Sequence, residues 1–132
     1  KGLILLASRL AQLDALIDVP DPVDRAIIVG EQQPTSWIVP AKITAPRWIT
    51  GDRDTIAIRI STHPVVIRLC DQLGHALVST SANRSNHPPA RSALSVRLAM
   101  GTAVDCILSG PLGVSKRPTS IRDARSGHHI RE

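Results

Sequence analysis

The sequence holds no phenylalanine and no tyrosine, so Trp37 and Trp48 are its whole aromatic content. Modules that read single-stranded RNA stack bases on aromatic platforms. The scarcity therefore argues against a base-reading module and leaves phosphate binding open. No apolar run approaches the roughly 18–20 residues that span a bilayer; the longest, Leu3–Ala7 and Ile56–Ile60, have the length of strands. The chain opens on neither a methionine nor the charged-then-apolar layout of a secretory leader, and Lys1-Gly2 runs straight into a strand-like stretch. A missing upstream segment is expected. Cysteine is scarce as well. Cys70 and Cys106 lie in the apolar contexts "VIRLCDQL" and "VDCILS", which reads as a pair of buried, reduced thiols in a cytoplasmic protein rather than a disulfide. Nothing has zinc-ligand spacing.

What is present fits one domain. A chain of 132 residues with 42% apolar content can bury a real core and is too short for two ordinary domains. Its net charge of +5 and pI near 10.2 attract polyanions or phosphorylated ligands without choosing between ATP and RNA.

Apolar periodicity predicts strands at Gly2–Ala7, Ser36–Val39, Thr55–Ile60, Ala76–Ser79, Ala103–Leu108 and Thr119–Arg122. Helices are expected over Arg9–Ile17 with Ser8 as N-cap, over Val23–Val29 opened by Pro22, from Pro64 to Gly74, and from Ser92 to about Met100. In the third, Val65, Val66, Leu69 and Leu73 line the inner side. Lys42–Asp54 reads as a basic loop. Strands alternating with helices imply an α/β sheet covered by helices.

Two features stand out. Arg59 interrupts "IAIRI", opposite to the face of Ile56, Ile58 and Ile60. It either carries a planar cationic fork to an anion or snorkels from an exposed face. "VSTSAN" then ends a strand in Ser79, Thr80 and Ser81 with Asn83 close behind. These groups either line a ligand crevice beyond a strand end or close Asx- and ST-type turns. The two features lie one strand-helix-strand unit apart, so their strands are expected to be neighbours sharing one crevice.

At this point the chain resembles the YrdC/TsaC family of threonylcarbamoyl-AMP synthases. The resemblance rests on "KGLILLA" (Lys1–Ala7), "APRWITG" (Ala45–Gly51), "DTIAIRISTHPVV" (Asp54–Val66), "LVSTSANRS" (Leu77–Ser85) followed by Pro88-Pro89, and "PTSIRD" (Pro118–Asp123). It implies a YrdC-like twisted, open, mixed sheet flanked by helices, with a concave ligand-binding surface, in one domain over 1–132 that lacks its N-terminal segment. It also implies a nucleotidyltransferase that joins L-threonine, bicarbonate and ATP, with Mg2+, into threonylcarbamoyl-AMP and releases pyrophosphate. That is the first step toward N6-threonylcarbamoyladenosine in tRNA. No catalytic side chain of its own and no resident metal site are implied. By the same resemblance Arg59 takes the threonine carboxylate, with Ser79, Thr80 and Lys1 beside it. Ser81 and Asn83, which match the family's Ser-x-Asn, hold the nucleotide, and Arg91 and Ser120 are weaker matches on that side.

Two departures from the family pattern follow. Its Lys-x-Arg motif and a Pro-Thr-Glu-Thr-like stretch fall upstream of Lys1, and its Trp-Pro-Gly-Pro-x-Thr turn reads "EQQPTS", with Pro34 and the hydroxyl of Ser36 surviving. His128 and His129 read as a solvated tail, His63 as a helix-start residue, and Gly110 with Gly113 as a turn without P-loop spacing. The rival readings are a basic module contacting double-stranded RNA or tRNA, and a YrdC-like domain of a carbamoyl-transfer protein. Expected partners are downstream t6A-transfer proteins, and no membrane.

Overall fold

Alternation along three strands decides which way the sheet faces. In β1 (Ile4–Ala7), β2 (Thr35–Pro40) and β3 (Thr55–Ile60), the side chains of Leu5, Ala7, Trp37, Val39, Ile56 and Ile58 are buried. Such a period of two marks a sheet whose apolar cluster lies on one face. A 3-10 turn (Leu10–Leu13), α1 (Pro22–Gly30) and α2 (Arg47–Thr50) complete that cluster with Leu10, Leu13, Ile28 and Ile49. The computed structural model of the chain describes residues 3–84, 86–112 and 119–131.

The chain divides into two compact units, Lys1–Ser79 with Arg117–Glu132, and Thr80–Lys116. The first holds a six-stranded mixed sheet, completed by β4 (Leu77–Ser79), β5 (Ser120–Asp123) and β6 (His129–Arg131), in the order β4-β1-β3-β2-β5-β6. β1 runs parallel to β3, and β2 parallel to β5; the other neighbouring pairs are antiparallel. The near-continuous apolar run of β1 suits an interior strand, and it lies between β3 and β4. The expected adjacency of β3 and β4 is thereby corrected.

Between those strands, α3 (Pro64–Leu73) starts where Pro is tolerated, with His63 as N-cap. It stops at Gly74, whose φ of 75° suits a residue without Cβ, and whose N–H donates to the Cys70 carbonyl at 2.9 Å. The position it buries is Cys70, whereas Leu73, expected on the inner side, is 51% exposed. In the second unit α4 (Ala93–Met100) is capped by Ser92, whose Oγ accepts from the Ser95 N–H at 3.0 Å. A 3-10 turn (Gly101–Ala103) follows.

Several local expectations give way to tertiary context. The helix expected over Arg9–Ile17 is only the 3-10 turn. The Gln12 side-chain Oε1 turns back to accept from the Ser8 N–H at 2.9 Å and its Oγ at 3.0 Å, and Ile17 makes an antiparallel bridge to Ala41 that needs extended backbone. The basic loop contains α2, tied down by buried Ile49. Ala103–Leu108 forms no strand; it has no ladder partner, Leu108 is exposed, and Cys106 is exposed rather than buried. The His128–Arg131 tail does end in a strand, because β6 pairs with β5. Gly113 lies outside the described residues.

Candidate functional site

Sheet register brings the chemistry-bearing residues of the first unit onto one face. Paired residues in a ladder point the same way. The row through Arg59 therefore contains Leu77 and Leu6 on one side and, continuing the β2–β3 register, Ser36 and Ile121 on the other. The adjacent row contains Ser79, Ile4, Ala57, Ile38 and Asp123. Both rows lie opposite the apolar cluster of Leu5, Trp37, Val39 and Ile58. Apart from fully buried Ser36, their residues are half-buried.

Arg59 thus reaches the face that the sequence pattern assigned to it. Its Nε donates to Ser36 Oγ at 3.1 Å and its Nη2 to the same oxygen at 2.9 Å. Ser79 stands on the same face, two strands and two residues away. At standard sheet spacings that is about 12 Å between Cα atoms. Because β4 runs antiparallel to β1, and so to β3, Arg59 and Ser79 do not, against expectation, meet beyond the carboxyl ends of neighbouring strands. They share a sheet face, with the apolar floor of Ile4, Leu6 and Ala57 between them. A guanidinium over such a floor can orient a small carboxylate and hold its aliphatic part against methyl groups.

The remaining candidates are distributed differently. Thr80, Ser81, Asn83 and Arg91 belong to the second unit. There Asn83 Nδ2 donates to the carbonyls of Arg84 and His87, both at 2.9 Å, while its Oδ1 is buried and has no partner. The turn-closing reading of this amide is therefore realised, and an acceptor remains over. Asn83 also lines a cavity of about 340 Å3 with Arg84, His87, Pro88, Leu98 and Ala99. Thr80 and Ser81 are exposed, and the Arg91 backbone N–H is bonded to Ser95 Oγ at 3.1 Å. Ser120 lies 3.3 Å from Thr35 Oγ1 across the β2–β5 ladder, on the face opposite Arg59. Lys1 lies outside the described residues.

Charge around the site is arranged locally. Asp123 accepts from the backbone N–H groups of Ser126 and Arg125 and from Ser126 Oγ, which close the β5–β6 turn. Those bonds, the Ser126 N–H foremost, hold its carboxyl below the ordinary range. On the covered face, Arg122 pairs with Glu31 at 3.3 Å and lies 5.8 Å from the Trp37 ring centroid. Burial pushes the Cys70 thiol up, and its Sγ sits 3.7 Å from the Leu6 carbonyl. Among the described residues no group of three or more His, Cys, Asp or Glu is arranged to hold a metal ion, and no helix is long and apolar enough to cross a membrane.

Ser36 was noticed in the sequence only as a surviving hydroxyl. Its contact with Arg59 depends on β2–β3 register, which no local pattern announces.

Residues 1–132 match the Sua5_yciO_yrdC family model, described as "Telomere recombination". The chain belongs to that family. It is 48% identical over 135 residues to a threonylcarbamoyl-AMP synthase of Alkalilimnicola ehrlichii, covering 99% of this chain and 70% of the relative. A threonylcarbamoyl-AMP synthase of Halorhodospira halophila is 46% identical over 132 residues, covering 99% and 69% respectively. In fold the chain is similar to P. abyssi Sua5, solved in complex with L-threonine, with a TM-score of 0.82 at 24% identity. That match covers 93% of this chain and 36% of the Sua5 chain, so this chain spans about a third of that protein.

Proposed function

We propose that the chain forms threonylcarbamoyl-AMP from L-threonine, bicarbonate and ATP, the first step of t6A formation in tRNA. The observation that carries this reading is the near full-length similarity, 48% identity, to a protein named for that synthesis. The half-buried guanidinium of Arg59 beside the apolar side chains of Ile4, Leu6 and Ala57 supports it.

The chemistry asks for no nucleophilic side chain. The threonine amine attacks bicarbonate-derived carbon and, with loss of water, becomes a carbamate. A carbamate oxygen then attacks the α-phosphorus of ATP, and the bond to the bridging oxygen breaks to release pyrophosphate. Positioning and neutralisation of charge lower the barrier. Arg59 takes the carboxylate, with Ser79 and Thr80 toward the rest of the amino acid. Ser81 and Asn83, supported by Arg91, take the phosphates. Lys1 is a further ligand on the threonine side. Magnesium ordinarily enters such sites on the substrate's phosphates with few protein ligands. The described residues supply no cluster of three or more His, Cys, Asp or Glu to hold it. The cytoplasm, where tRNA is modified, is the expected compartment, with t6A-transfer proteins taking the product.

The test is product formation by the intact protein. Threonine, bicarbonate and ATP together should yield pyrophosphate and a species with the mass of threonylcarbamoyl-AMP, and omission of any one should stop both. The net charge of +5 also suits RNA. Tight, steeply salt-dependent binding of double-stranded RNA or tRNA without any product would favour the basic-module reading instead. Carbamoyl phosphate use in place of threonine would favour the carbamoyl-transfer reading.

A further inference from the structure

We propose that Ser36 is a positioning residue: it fixes the plane of the Arg59 guanidinium and thereby sets how tightly the site grips the carboxylate of its amino-acid substrate. This rests on the reading of Arg59 given above. Among the described residues of the two rows on that face, Ser36 alone is fully buried, at 0% exposure. Its Oγ accepts from both Nε and Nη2, at 3.1 and 2.9 Å. Those two nitrogens form one edge of the guanidinium. A single bond would anchor the end of the arm and leave the plane free to turn about the last torsion. Two bonds converging on one oxygen fix that torsion as well.

The consequence for binding comes from planarity. A guanidinium recognises a carboxylate through two parallel N–H bonds, and only in the right plane. An arginine arm has several soft torsions, and freezing them on binding weakens affinity unless they are already frozen. Ser36 does this in advance, from the rigid strand beside Arg59 rather than from a loop. Its neighbours on the face, Ile121 along the row and Ile38 next on the same strand, are apolar.

The intact protein, labelled for NMR, tests this with Ser36→Ala, Ser36→Thr and Arg59→Ala. Ser36→Ala should lower L-threonine affinity about tenfold, in line with losing a hydrogen bond to a charged group. It should leave ATP affinity within about twofold and speed the solvent exchange of the Arg59 Nε–H signal. Ser36→Thr, which keeps the hydroxyl, should restore threonine affinity and the slow Nε–H signal together. A purely structural Ser36 would lower thermal stability and weaken both ligands alike, which overturns the proposal. So does Ser36→Ala with unchanged threonine affinity while Arg59→Ala loses it. If Arg59→Ala itself still binds threonine normally, the assignment of Arg59 fails first, and the proposal falls with it. Should Ser36→Ala not fold, Ser36→Cys keeps the volume with a weaker acceptor and carries the same expectations.

Discussion

Replacing Arg59 by alanine separates the two halves of the proposed site. The side chain is half-buried and donates two hydrogen bonds to Ser36 Oγ. The proposed function gives the substrate carboxylate to another edge of the same plane. Hydrogen bonds to charged groups are worth about 1.5–3 kcal/mol each. Partial exposure screens a bidentate pair toward the lower end, so a loss of about 2–3 kcal/mol in threonine binding is expected, roughly 30- to 150-fold. The fold should lose little, since removing the arm also lets water reach the Ser36 hydroxyl; about 1 kcal/mol is the scale. Arg59→Lys should recover part of the affinity only, because an ammonium is a point charge without a fork. Calorimetric titration with L-threonine and, separately, with ATP reads the effect. A threonine affinity changed by less than about threefold, or an equal loss for both ligands, would refute the assignment of Arg59 to the carboxylate.

Other consequences are as definite. Ile58 is 0% exposed at the centre of the apolar cluster, so Ile58→Ala should cost about 2–5 kcal/mol in a urea melt at unchanged m-value; a cost below about 1 kcal/mol would mean the cluster does not carry the fold. The Asp123 carboxyl is held below its usual range, chiefly by the Ser126 N–H. A depressed carboxyl stabilises the folded state above its unfolded pKa, near 4, and that stabilisation is lost as pH falls through the folded value. Amide protection of the β5–β6 turn should therefore decline in acid, and a decline of the same size in Asp123→Asn would exclude this carboxylate as the cause. Cys106 is exposed while Cys70 is buried with its thiol pushed up by desolvation. A disulfide reagent should accordingly label Cys106 promptly and Cys70 only on unfolding, and equal rates would contradict the burial of α3 against β1.

Where local rules acted alone, the sequence was a good guide. Thr55–Ile60 alternates so regularly that both its bounds and its two faces are those observed, Arg59 included. Pro64 with Gly74, and Ser92 with Ser95, delimit α3 and α4 through caps that need only a few neighbouring residues. Segments whose state depends on a distant partner were read less well. Ala103–Leu108 has strand-like composition and no ladder to join. His129–Arg131 looks like a polar tail, yet pairs with β5. The helix expected after Ser8 is cut short because Gln12 is drawn to Ser8 and to the Cys70 carbonyl, at 2.9 Å.

By itself, then, the sequence determined the α/β class, the strand that carries Arg59, the face to which it points and the family to which the chain belongs. All of these reside in side-chain periodicity and in motifs of adjacent residues. Only the tertiary structure decided that β1 separates β3 from β4 and that Ser36 meets Arg59 across the β2–β3 ladder. Strand order and register are settled by which apolar faces can be buried together over long separations. No short window of residues contains that comparison.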